Sequence, residues 1–451
     1  MGGGGRDGRV GSARVSEAVV QDLELRTGAA IAEGPEWLEP LRQAAAARFA
    51  AVGFPTSRDE EWRFTPIGPI AQRTWRPAAG EPIALRAEQL SPFIFGHPEW
   101  STLVFVDGTY SEGLSRVSVL PLGVRVESLA EALRSNGDLL PEHLTRHAPV
   151  EGSPFTALNT AAFRDGGLLY VPAGIDLERP VHFVYVTTSA AEGTAVHPRN
   201  LLVVERGARA SVIESYVTLA PEDTYWVNPV SEVSAAEGSW LEHTRIQRES
   251  ERAYHVGLTH VDQRRDSHYR SFSMAMGGAL ARHNLHVRLN DENIETLMYG
   301  LYITRDEQVV DNHTAIFHDQ SNCRSWEVYK GVLEGRSRAV FNGKVLVKSE
   351  AQKTDAKQTN RNLLLSDGAK VDTKPQLEIF ADDVKCTHGA TVGRLDDVAL
   401  FYARSRGVPH DEAERLLTYA FAAEVIEEVA LEPVRLELDR LVLERLEGQR
   451  D

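Results

Sequence analysis

The chain has 451 residues, 42% of them hydrophobic and 25% charged, and a formal net charge of −16. That length suits two or three structural units or one stacked repeat, and an acidic surface argues against a nucleic-acid partner. Two cysteines, Cys323 and Cys386, are too few for a disulfide-stapled secreted fold, so the expected setting is a reducing one, the cytoplasm.

The start of the chain, Gly-rich through Gly11, has no apolar core of a signal peptide and is expected to be a disordered tail over 1–14. Trp37, Leu38, Leu41, Ala44, Ala45, Phe49 and Val52 fall at helical spacing, closed by Gly53 and Pro55. Residues 103–110 predict a strand and turn, and 126–140 a helix. Residues 15–150 are therefore read as a helical or mixed N-terminal region.

Over 155–393 the pattern changes to short β-rich runs, at 168–171, 181–187, 201–204, 210–219, 239–245, 269–276, 283–289, 339–347, 363–365 and 376–380. Turn signals such as Glu205-Arg-Gly207, Ala236-Glu-Gly238, Glu334-Gly335 and Ser366-Asp-Gly368 separate them. No long helical pattern intervenes, which excludes alternating βαβ units. A mainly β core over 151–393 follows, either a sandwich or a stacked coil of strands. From 394 to 451 the pattern is helical again, with Ala413, Leu416, Leu417, Ala420, Phe421 and Val425 on one stripe and a break at Pro433. Nowhere does the chain approach ~18 consecutive apolar residues, so no membrane span is expected.

Cys386 and His388 are two apart in a β-rich stretch, which puts both side chains on one face. Thiolate and imidazole are ligands for iron or zinc. Two ligands do not close a structural site, which takes four, so the pair reads as half of a site completed by another chain. The alternative is a buried cysteine beside a satisfied histidine.

All eight lysines, Lys330, Lys344, Lys348, Lys353, Lys357, Lys370, Lys374 and Lys385, lie in one segment bracketed by the cysteines, and every basic residue outside it is arginine. The segment is chemically constrained, either by function, with Lys353, Lys374, Lys385 and Cys323 as accessory candidates, or by strand packing that disfavours guanidinium. His243, His255, His260, His268, His283, His286, His313 and His318 follow no ligand spacing and are expected to be structural. Gly343-Lys344 does not complete a P-loop, because residue 338 is Arg and residue 345 is Val. No nucleotide of its own and no catalytic residue are expected.

The segment Thr373-Lys-Pro-Gln-Leu-Glu-Ile-Phe-Ala-Asp-Asp-Val-Lys-Cys-Thr-His-Gly-Ala-Thr-Val-Gly393, continuing through Leu400-Phe-Tyr-Ala-Arg-Ser-Arg-Gly407, resembles the C-terminal signature of the SufB/SufD family of iron–sulfur cluster assembly scaffolds. Arg338-Ala-Val-Phe-Asn-Gly343 and Pro55-Thr-Ser-Arg-Asp-Glu-Glu-Trp-Arg-Phe64 fit the same family. The chain resembles its SufD branch, since it lacks a cysteine at 360–364 and reads Cys386-Thr-His-Gly-Ala-Thr391 where the SufB branch reads Glu-His-Glu-Ala-Thr.

The resemblance implies a right-handed parallel β-helix flanked by helical regions. It further implies a SufB-like partner, a SufC-like ATPase docked through Phe401, Tyr402, Arg404 and Arg406, and an iron–sulfur cluster or iron held transiently between His388, with Cys386, and the SufB-like subunit. A homodimer of the isolated chain stays open. The competing readings are a β-helix carbohydrate-active enzyme, which needs clustered carboxylates, and a His/Cys metal-binding β protein, which needs a metal in the chain alone.

Overall fold

The computed structural model describes residues 34–78, 85–135 and 139–447, with Leu23, Thr27 and Ala32; the tail expected at 1–14 lies outside them. From Val230 onward the chain alternates strictly between two parallel sheets, the pattern of a β-solenoid of about eight turns. One sheet stacks Val230–Ala235, Tyr254–Gln263, Leu280–Leu289, Val309–His318, Arg338–Val347 and Lys370–Ile379. The other stacks Val181–Thr187, Arg209–Thr218, Trp240–Arg248, His268–Ala275, Glu295–Thr304, Arg324–Leu333, Asp355–Leu364 and Lys385–Gly393. Both sheets start upstream of these strands, the first with Arg125–Ser128 and the second with Ser101–Val106, and both starts include antiparallel pairs.

Inward side chains such as Val233, Leu241, Val261, Leu285, Met298, Ile316, Phe341 and Val345 make one continuous apolar core between the sheets. No single coil could bury its inner face alone, so stacking supplies the stability. A second ladder runs through the turns. Gly174, Gly207, Gly238, Asp266, Asn293, Asn322 and Lys353 have φ between 58 and 73°. Their N–H groups donate, in that order, to the carbonyls of Arg206, Glu237, Arg265, Glu292, Ser321, Gln352 and Asp383 one coil further on, at 2.7–3.4 Å. Glycine adopts this left-handed geometry freely, and Asn and Asp tolerate it.

The expected core strands are present, while Val230–Ala235, Tyr254–Gln263, Glu295–Thr304, Val309–His318 and Arg324–Leu333 are additional. They were hidden because polar residues fill inward positions, among them Ser231, Thr259, Gln263, Thr296, Thr314 and Glu327, and blur the apolar alternation. The helix expected at 126–140 is instead the strand Arg125–Ser128 followed by the helix Leu129–Arg134 and the separate helix Leu139–His143. Val126 pairs with Leu169, and Ser128 Oγ caps the next helix by accepting the Glu131 N–H at 3.3 Å.

The longer helices are α1 (Glu39–Val52), α2 (Pro154–Ala162), α3 (Asp397–Ser405), α4 (His410–Ile426) and α5 (Glu432–Glu447). Pro433 sits in the first turn of α5, where its missing N–H costs nothing. Ala422, Val425, Ile426, Val434, Leu438 and Val442 of α4 and α5 pack on Ile246, Phe272, Met274, Tyr299 and Leu301, the outer face of the second sheet. The C-terminal helices therefore cover the side of the solenoid and not its end.

Candidate functional site

Among the described residues, the last strand of the second sheet, Lys385–Gly393, pairs with Asp355–Leu364 on one side only, and the last strand of the first, Lys370–Ile379, pairs only with Arg338–Val347. Each leaves a row of backbone donors and acceptors without a neighbouring strand, an edge that folded proteins normally cover. Phe380 and Val392 at this end are 66% and 48% exposed.

Cys386 lies across from Ala356, and His388 across from Gln358. Ala356 and Gln358 are buried inside the coil, so both candidate ligands belong to rows that run along the solenoid interior and come to light at its end. Cys386 is half-buried against the core, and burial raises its thiol pKa, with the nearby Asp355 carboxylate adding to the rise. His388 is exposed. Among the described residues, no group of three or more His, Cys, Asp or Glu is placed to hold a metal.

The other candidates separate. Cys323 is buried in the turn ladder, where its thiol donates to the Asp291 carbonyl at 3.2 Å and burial pushes it up to about 11. Such a thiol stays protonated and is a poor nucleophile or ligand. Lys353 pairs with Asp383, Lys374 reaches Glu60 at 2.5 Å, and exposed Lys385 lies opposite Asp355. The lysine segment is in fact the last coils, where lysines bridge neighbours: Lys344 to Glu378 and Lys348 to Asp319, both at 2.8 Å, and Lys330, whose ammonium donates to the Phe421 carbonyl of α4 at 2.9 Å.

On α3, which buries none of its residues, Phe401 is 73% and Tyr402 60% exposed. Arg404 and Arg406 are exposed as well, with Arg406 stacked on the Tyr402 ring at 5.2 Å. Plain core packing does not account for these two aromatics.

The segment 55–64 is a strap. The Trp62 ring lies 3.7 Å from the Arg282 guanidinium, the Glu61 carbonyl accepts from Arg282 at 2.6 Å, and the Glu61 carboxylate meets His313 at 3.1 Å. The interior histidines likewise have partners: His243 with Glu214 and Tyr269, His255 with Glu249, His283 with Thr259 and His318 with Ser325.

Two residues that the sequence did not single out stand behind His388. Gln358 donates to the Glu327 carboxylate at 2.8 Å, and both are almost fully buried. Burial pushes Glu327 up to about 7. Their spacing, Gln358 one coil from His388 and Glu327 two, leaves no local signal.

The fold is therefore that of a parallel β-solenoid flanked by helices, with a thiol and an imidazole two residues apart on its last described strand. Residues 185–421 match the family model for the SufBD core domain of the SUF system of FeS cluster assembly, and residues 26–183 match that for the SufBD protein N-terminal region. The iron–sulfur cluster assembly SufBD family protein slr0076 of Synechocystis is 34% identical, over 86% of this chain and 87% of its own length. Iron–sulfur cluster assembly protein SufD of Escherichia coli is 32% identical over 88% and 90%, and that of Bacillus subtilis 31% over 70% and 72%. The chain belongs to the SufB/SufD family, on its SufD side, and its role lies in iron–sulfur cluster assembly. No described helix is long and apolar enough to cross a membrane.

Proposed function

We propose that this chain is a non-catalytic, cytoplasmic scaffold subunit of a SufB–SufC–SufD-type complex. A SufB-like subunit covers the open end of the solenoid. There Cys386 and His388 supply half of the ligands for an iron–sulfur cluster or iron in transit, and the partner supplies the rest. A SufC-like ATPase docks on α3 through Phe401, Tyr402, Arg404 and Arg406, and all nucleotide chemistry belongs to it. Lys353, Lys374 and Lys385 serve as accessory residues that tie the last coils to neighbouring carboxylates, whereas buried Cys323 is best read as a packing residue. Without the SufB-like subunit, a second copy of the chain can meet the same edge.

The observation that carries this reading is the uncapped coil end with His388 exposed and Cys386 beside it. Two ligands on an open edge hold a cluster weakly, which suits a site that must release its product. The test is reconstitution with both partners and measurement of cluster by visible absorbance and iron content. H388A and C386A/H388A lower loading while the far-ultraviolet circular dichroism stays native. Full loading by C386A/H388A removes the half-site.

A further inference from the structure

The row of inward residues that ends at His388 continues inward through Gln358 to Glu327. Gln358 is 2% exposed, and its amide nitrogen is committed to Glu327 at 2.8 Å. Among the described residues, its buried side-chain oxygen has no hydrogen-bond partner. An orphaned buried acceptor of this kind carries its desolvation penalty without compensation, so its persistence calls for a use. The space for the amide is made by Gly343, where a Cβ would fall 2.1 Å from the Gln358 nitrogen and 2.7 Å from its amide carbon. The next residue in register ahead of the orphaned oxygen is His388, whose ring carries an N–H.

We propose that Gln358 is a positioning residue for His388: anchored by Glu327 and laid across Gly343, it presents its side-chain oxygen to the imidazole N–H one coil further on and leaves the other ring nitrogen free to ligate. Ligating histidines typically donate their second N–H to a carbonyl or carboxylate, which fixes the tautomer and the ring plane and makes the ligating nitrogen more basic. The inference rests on the assignment of His388 made above.

The test uses the full chain with its SufB-like and SufC-like partners, and cluster loading as the first readout. Q358L lowers loading about tenfold, the scale for losing such a partner, and adds nothing in the H388A background. The swap E327Q/Q358E reverses donor and acceptor within the buried pair and still leaves an acceptor oxygen facing position 388, so it restores loading. Losses that multiply between Q358L and H388A overturn the proposal. The second readout is independent of loading and of the swap's folding: ring-nitrogen spectra of the full chain labelled with ¹⁵N-histidine and assigned with H388A. A single His388 tautomer in the native chain that becomes mixed in Q358L is the expected result, and an unchanged tautomer ratio overturns the proposal. If H388A itself loads fully, the site assignment falls, and the nitrogen spectra still decide the role of Gln358.

Discussion

Lys353 reaches Asp383 twice: its backbone N–H donates to the Asp383 carbonyl at 2.7 Å, and its ammonium pairs with the Asp383 carboxylate. It does so with a φ of 63°, as the last rung of the turn ladder. Any L side chain is strained there by roughly 1–2 kcal/mol and a β-branched one by more again, whereas glycine is not. The ion pair is well exposed, and pairs of that kind contribute about 0–1 kcal/mol. K353V is therefore expected to unfold about 1–2 kcal/mol earlier in urea, and K353G to stay within about 1 kcal/mol of the native chain. A K353G variant that is the less stable of the two would show that the side chain, not the backbone geometry, holds this turn.

Arg199 and Glu232 form an ion pair at 2.7 Å with both side chains fully buried. Glu232 also accepts the N–H groups of Thr145, His147 and Ala148 at 2.7, 2.8 and 3.1 Å, which ties the N-terminal region to the solenoid. E232A leaves a buried guanidinium and three donors unmatched, and should cost about 3–5 kcal/mol. R199M leaves Glu232 its three donors and should cost less. Equal costs in chemical denaturation would contradict this division.

Stability should fall as the pH drops below about 6.5. Burial holds His182, His286 and His318 down to about 3, and His197 to about 4, from an ordinary 6.5. Below that ordinary value the unfolded chain binds protons that the folded chain refuses, so folding stability is lost progressively toward pH 3–4, by about 1.4 kcal/mol per histidine for each unit crossed. H182Q removes one such group and flattens the acid limb; an identical limb would mean that His182 titrates normally.

Glu327 acts in the opposite direction. Its folded value of about 7 lies above the ordinary 4.5, so its stabilising contribution is complete below about pH 4.5 and lost as the pH rises through 7. E327Q keeps an acceptor for the Gln358 amide and cannot ionise. It is expected to gain stability relative to the native chain at pH 8, by up to about 3 kcal/mol, and to show no gain at pH 4.5. A gain of equal size at both pH values would point to packing rather than ionisation.

Phe401 and Tyr402 make almost no contribution to the core. F401E/Y402E should leave the melting temperature within a few degrees of the native value and abolish co-purification with the SufC-like ATPase, because a buried aromatic anchor in an interface is worth about 2 kcal/mol or more. Undiminished co-purification would move the docking surface off α3.

Part of the site was legible because its signal is local. A cysteine and a histidine two residues apart in a strand share a face whatever the fold around them, and the confinement of every lysine to one segment marked that segment as constrained by function or by strand packing, without placing it in the fold. The glycine turns at Gly207 and Gly238 announced themselves for the same reason. The turn repeat as a whole did not, since Asp266, Asn293, Asn322 and Lys353 hold the same left-handed position as the glycines. The strands of the second sheet also begin at uneven intervals, at residues 240, 268, 295, 324, 355 and 385.

The amino-acid sequence by itself determined the β-rich core, the helical ends, the family resemblance and the spacing that puts Cys386 and His388 on one strand face, because each rests on residues close together in the chain. Only the tertiary structure decided that no described residue caps the last coil, that Cys323 is sealed in a turn while Cys386 stands at the rim, and that Glu327, Gln358 and His388 form one row. Those relationships depend on how successive coils register on one another, and backbone hydrogen bonding between coils sets that register across separations that no short pattern of side chains records.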